Sequence, residues 1–157
     1  MANKVVGGKR ITIALHALEQ KITRAGTLRV GFLEGARYTD THPVRGTKRK
    51  PLSVAQVAFW NEYGTSRTPS RPFFRTAIAR ESKNWGTKLA AAVKFHNYDG
   101  EAALRTLGQS MRDDIEASIA QWSTPGNAAR TIARKGFDKP LVDEGTMQRA
   151  PDFEIVK

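Results

Sequence analysis

The densest cluster of side chains able to do chemistry is Asp113, Asp114 and Glu116. Paired carboxylates can hold a cation or share acid and base work. Here they flank Met111 and Ile115 on an apolar stripe of helical spacing, and that pattern favours a solvated helix face. Glu62 and Asp143-Glu144 fall near predicted loops without a matching partner. His16, His42 and His96 are far apart, and none forms the paired spacing of a zinc site. The chain has no cysteine. Disulfides, thiolate ligands and cysteine nucleophiles are therefore excluded, and nothing points to an oxidising compartment. Gly7-Gly8 lacks the Lys-Ser/Thr of a phosphate loop, and no Gly-x-Ser-x-Gly elbow occurs. The expectation is a non-enzyme with no cofactor and no metal.

Charge carries more information. Lys and Arg total 26 against 15 Asp and Glu, a formal +11 over 157 residues. Residues 1–52 hold 11 basic and 3 acidic side chains, +8. Residues 53–99 hold 7 and 3, and residues 100–157 hold 8 and 9. Such asymmetry suggests a basic face or arm, not a uniformly basic body. The densest run is Arg45-Gly46-Thr47-Lys48-Arg49-Lys50. With Arg37 it forms a candidate DNA-facing set: Arg37, Arg45, Lys48, Arg49 and Lys50. No zinc-finger spacing, RNA-binding aromatic motif or heptad-plus-basic region accompanies it. No apolar run approaches the ~20 residues of a membrane span. The first ten residues lack the apolar centre of a secretory signal.

The elements that must position these groups follow from periodicity. Ile11, Ala14, Leu15, Leu18 and Ile22 predict a helix near 11–25. Leu28, Val30 and Phe32 alternate with Arg29 and Gly31, which predicts a strand over 27–33. Residues 34–51 form either a long loop or an extended hairpin. Ser53 suits the N-cap of a short helix at 54–63, with Gly64 as its stop. That helix holds no Lys or Arg, so it is a poor nucleic-acid recognition helix. Pro69 and Pro72 keep Thr68 and Arg71 extended. A long helix is expected over 73–95, with Gly86 a point of weakness or bending. A second spans 101–122 with the cleanest stripe, Leu104, Leu107, Met111, Ile115, Ile119 and Trp122. A short helical turn near 128–134 and a strand at 152–157 complete the order, with Leu141 and Val142 as an anchor between them. These elements predict one α+β domain over 1–157. A small mixed or antiparallel sheet, from 27–33, part of 36–45 and 152–157, packs against helices near 11–25, 73–95 and 101–122. Residues 1–9 are expected as a flexible arm, 35–51 as a mobile basic loop or hairpin, and 123–157 as an extension with a short strand.

Two stretches stand out. One runs Val57-Ala58-Phe59-Trp60-Asn61-Glu62-Tyr63-Gly64-Thr65, then Thr68-Pro69-Ser70-Arg71-Pro72-Phe73-Phe74-Arg75. The other runs from Thr131 through Lys135-Gly136-Phe137-Asp138-Lys139-Pro140-Leu141-Val142-Asp143. Physically, Asn61 and Glu62 sit where a short helix ends and backbone groups need partners. Pro69 and Pro72 stiffen the connector. Phe73 and Phe74 anchor the next helix, and Arg71 or Arg75 can pair with Glu62 or with a neighbouring subunit. The whole motif reads equally as a helix–loop–helix corner or as a subunit contact.

Together the two stretches resemble a family of tailed-phage and prophage neck or tail-completion proteins. The resemblance covers 57–75 and 131–147; elsewhere only the order of elements agrees. Glu144 stands where the family usually has Thr, and Met147 and Ala150-Pro151 replace a leucine and a serine–aliphatic pair. The resemblance implies a structural virion protein at the neck, completing or joining the tail to the head. It would work as a ring of identical chains around the DNA path, made in the host cytoplasm and possessing no membrane partner. Its other partners would be head-connector and tail-tube or tail-terminator proteins. The residues implied in subunit contact or in the motif's structure are Asn61, Glu62, Tyr63, Gly64, Arg71, Pro72, Phe73, Phe74, Lys135, Pro140 and Leu141. The competing expectation from charge alone is a sequence-independent DNA-binding module, using 37–50 and the arm.

Overall fold

Two long helices with facing apolar stripes must bury them against each other, and this pair organises the chain. A computed structural model describes residues 8–23, 25–38 and 51–157. Its elements are α1 (Gly8–Thr23), β1 (Thr27–Phe32), α2 (Val54–Tyr63), α3 (Phe73–Phe95), α4 (Gly100–Gln121), α5 (Ala129–Lys135) and β2 (Pro151–Val156). The fold class is α+β.

Helices α3 and α4 form an antiparallel hairpin. Ser118 Oγ donates to Phe73 O at 2.7 Å near one end, and His96 Nε2 lies 2.7 Å from Thr106 Oγ1 near the other. Asp99 caps α4 by accepting from the Ala102 amide at 3.0 Å. This satisfies one of the free amides of the first turn. α3 runs unbroken through Gly86.

β1 and β2 form a two-stranded antiparallel sheet, with Thr27 opposite Val156 and Phe32 opposite Pro151. The sheet lies on α4. Pro151 enters at the first position of β2, a place where a missing amide is tolerated. A close approach fixes the sheet on the helix: a Cβ on Gly108 would lie 2.6 Å from the Phe153 ring. The core joins Val54 and Ala58 of α2, Phe73 and Ala77 of α3, Ile115 and Ile119 of α4, and Met147. Phe32 meets Phe73 edge to face at 6.1 Å between ring centres. Leu141 and Val142 pack at the margin of this core, as an anchor should.

Two expectations need correction. The first helix begins at Gly8, so residues 8 and 9 belong to it and not to an arm. It also does not pack on the sheet. Of the described elements α1 packs only on α4, whose Gly100 is crowded by the Ile22 backbone and by Ala25 just beyond the helix. Ile11 and Leu15 remain 61% and 60% exposed. Of the 36–45 region expected to add to the sheet, only 36–38 fall within the described residues. They contribute a single antiparallel bridge, Arg37 to Ser53, flanked by bonds from Val54 N to Ala36 O and from Tyr38 N to Leu52 O, both 3.0 Å. Residues 1–7 and 39–50 lie outside the described residues, and with them Arg45, Lys48, Arg49 and Lys50.

Replacing Gly108 by Ala sets two effects against each other. Helix propensity favours Ala by about 1 kcal/mol. Overpacking against the Phe153 ring costs about 1–3 kcal/mol. Gly108→Ala is expected to lower stability, read as a reduced urea midpoint by circular dichroism.

Candidate functional site

The first motif folds into a corner between α2 and α3, and Glu62 is its centre. Pro72 precedes α3 and has no side chain able to cap it. Glu62, 5% exposed, does so from the end of α2. Its carboxylate accepts from the Phe74 amide at 2.9 Å and the Arg75 amide at 3.1 Å. The Phe73 amide donates to Arg71 O at 2.7 Å and Thr76 N to Pro72 O at 3.0 Å. Every amide of the first turn of α3 therefore has a partner. A carboxylate at a helix N-terminus also meets the positive end of the helix dipole.

The same residue closes α2. Glu62 O accepts from Ser70 Oγ at 2.7 Å and from Arg75 Nη2 at 3.3 Å. Asn61 O accepts from the Arg71 amide at 2.6 Å. Arg75 Nε completes the ion pair with Glu62 at 2.8 Å. Gly64 makes the exit, at φ +78°, where a Cβ would lie 2.9 Å from Ser70 N.

Arg71 does not pair with Glu62. It is buried, and its guanidinium crosses to the α4–α5 connector, donating to Pro125 O at 3.0 Å and Gly126 O at 2.8 Å. Its Nη1 also reaches Asn61 Oδ1 at 3.4 Å. Burial pulls its pKa down, and Asp138 opposes that. Asp138 belongs to the second motif and accepts from the Asn127 amide at 3.0 Å. The two stretches therefore meet on residues 125–127. Within the second, Gly136 ends α5 in the left-handed conformation. Lys135 Nζ donates to Lys139 O at 2.7 Å and to Val142 O, and it lies over the Phe137 ring. Burial lowers the Lys135 pKa. Pro140 is fully buried, and Leu141 takes φ +64°.

So Asn61, Glu62, Gly64, Arg71, Pro72, Phe73, Lys135, Pro140 and Leu141 come together as one braced corner. Tyr63 does not turn inward. It is 57% exposed, its ring lies 4.7 Å from that of Phe59, and Arg75 covers it at 5.0 Å. With half-buried Phe74, Phe32, Val30 and Leu33, these rings line an open groove of about 380 Å³ between β1 and α2. Phe59, 59% exposed, was not singled out from sequence. The signal was available: Val54 to Trp60 is apolar all round except Gln56, and one face of a surface helix needs no such residues.

On the other side of α2 lies a cleft of about 450 Å³, lined by Tyr38, Val57, Asn61, Lys135, Leu141 and Asp143 among others. Burial, aided by Asp143, pushes the Tyr38 hydroxyl up to about 12. Arg37 beside it is exposed and donates to Pro51 O at 3.3 Å.

The acidic cluster divides. Asp113 is exposed beside Arg112, and Glu116 faces the same Arg112. Asp114 is not on a solvated face: it is half-buried in the α3–α4 seam, accepting from Trp85 Nε1 at 3.0 Å and Lys88 Nζ at 3.3 Å. Among the described residues no group of three His, Asp or Glu converges to hold a metal ion, and no helix is long and apolar enough to cross a membrane.

Comparison with protein-family models, with curated proteins and with solved structures finds no match.

Two outcomes follow from this geometry. Glu62→Ala leaves two helix amides and Arg75 without their acceptor and is expected to cost about 2–4 kcal/mol in urea denaturation, with Glu62→Gln losing less. The second concerns pH. The Tyr38 pKa is raised in the folded chain, so its contribution is intact below the ordinary value of 10.0 and is lost as pH climbs toward about 12. Tyr38→Phe should remove on the order of 2 kcal/mol from the alkaline fall in stability, measured by denaturing both proteins on either side of that window.

Proposed function

We propose that this chain is a structural protein of a tailed-phage or prophage virion, completing or joining the tail to the head at the neck. It acts as a ring of identical subunits around the DNA path, with head-connector and tail-tube or tail-terminator proteins as its neighbours. The observation that carries this reading is the exposed Phe59–Tyr63 pair on a helix whose C-terminal end is pinned by Glu62. The motif residues brace a corner, and the corner presents aromatic surface to solvent. Clustered exposed aromatics on a rigid frame suit protein–protein contact. The two motif stretches that resemble the neck family also meet in space, through Arg71 and Asp138 at residues 125–127.

The positive charge fits the same reading. A net +8 in residues 1–52 suits a surface near DNA within a ring. It also supports the second reading, a sequence-independent DNA-binding module.

Sedimentation velocity of the full chain over rising concentration, with negative-stain imaging of the largest species, separates the two. Closed rings, with weak DNA binding by the monomer, are expected. A monomer at every concentration, with tight DNA affinity whose logarithm falls linearly with log salt, would replace the ring reading.

A further inference from the structure

Two apolar surfaces lie at opposite ends of the described molecule. Of the described elements α1 meets only α4, at the Gly100 end of that helix. Its stripe of Ile11, Ala14 and Leu15 is exposed beyond that contact. β1 then leads away from α1 toward the corner, where Phe32 meets Phe73. The groove lined by Val30, Phe32, Leu33, Phe59, Tyr63 and Phe74 opens there. Among the described residues no element covers the exposed α1 stripe and no helix fills the aromatic groove, and the two surfaces are complementary in kind.

We propose that α1 of one copy seats its Ile11–Ala14–Leu15 stripe in the β1–α2 groove of the next copy. This inference rests on the ring reading and gives the ring its contact. Because the two surfaces differ, the contact is head-to-tail, the type that closes into rings. The occupant is a second copy because the areas match. An aliphatic side chain offers roughly 100 Å² and an aromatic one roughly 150–250 Å². Scaled by exposure, stripe and groove together can hide at most roughly 600 Å² of apolar surface on these values. Interfaces are about 57% apolar, so the whole contact reaches about 1,000 Å², the lower bound for a specific association. One such contact is weak, and closure of a ring multiplies it.

The cysteine-free sequence makes the test direct. Ala14 lies on the exposed stripe and Ala55 lines the groove. Ala14→Cys and Ala55→Cys are made as separate full-length proteins, mixed and mildly oxidised. Ser82→Cys, at an exposed site on α3, replaces Ala55→Cys in the control. The Ala14–Ala55 pair is expected to give disulfide-linked dimers in excess of the control by about tenfold or more. In parallel, Ile11→Ser with Leu15→Ser should abolish the larger species in sedimentation while leaving the melting temperature nearly unchanged, since neither side chain is buried in the monomer. Larger species that persist in the double variant, with no preference for the Ala14–Ala55 pair, overturn this contact and leave the ring reading standing. Equal linkage of Ala14→Cys to itself would replace it with a symmetric contact. A wild-type chain that stays monomeric at every concentration overturns both.

Discussion

The arrangement depends on one buried carboxylate. Glu62 ends α2 and begins α3, because its carbonyl takes the donors of the connector while its side chain takes the free amides of the next helix. α2 ends without a basic residue in its last turn, and α3 starts after a proline that cannot cap it. Neither terminus is stable alone in a buried setting. Together they satisfy each other through a single residue. The angle between the two helices is thereby set by hydrogen bonds, and hydrophobic packing by Phe73, Val54 and Ala58 fills in behind it.

Arg71 extends this brace across the molecule. A buried guanidinium needs acceptors, and it finds two carbonyls in a connector remote in sequence. The connector in turn is held by Asp138. The second motif is thus tied to the first by a short relay of polar contacts. With so many polar groups occupied internally, the corner also leaves the Phe59 and Tyr63 rings at its surface. Rigid placement of Phe59 and Tyr63 is what makes them suitable for contact: little side-chain freedom is lost when a partner arrives.

The elements were largely legible because their signals are local. Gly64 and Asp99 mark helix ends within a few residues, and the alternation at 28–32 needs only five positions. The Glu62–Arg75 pair was also within reach. Partners distant in sequence were not. Nothing near Arg71 announces carbonyls at 125 and 126, so pairing with Glu62 looked equally natural. Helical patterning placed Asp114 on the polar side of α4, but it cannot say that Trp85 and Lys88 of a neighbouring helix lie over it. The stripe on α1 had the same weakness. Its spacing states that the helix requires cover, and is silent on which surface supplies it. The corner was therefore anticipated as a corner, while the groove beside it went unnoticed.

The pairing of β1 with β2 has a consequence for the order of events. The two strands stand on either side of all the helices from α2 to α5. Local contacts within the α3–α4 hairpin form early, and the strand pairing carries the largest loop-closure entropy in the described chain. Glu154 of β2 lines one wall of the groove, opposite Tyr63 and Phe74. The groove is thus finished only when the most distant segment has docked. A chain that stops short of β2 would carry its helices yet lack the Glu154 wall of this groove, so the groove takes its full shape only after the last strand has paired.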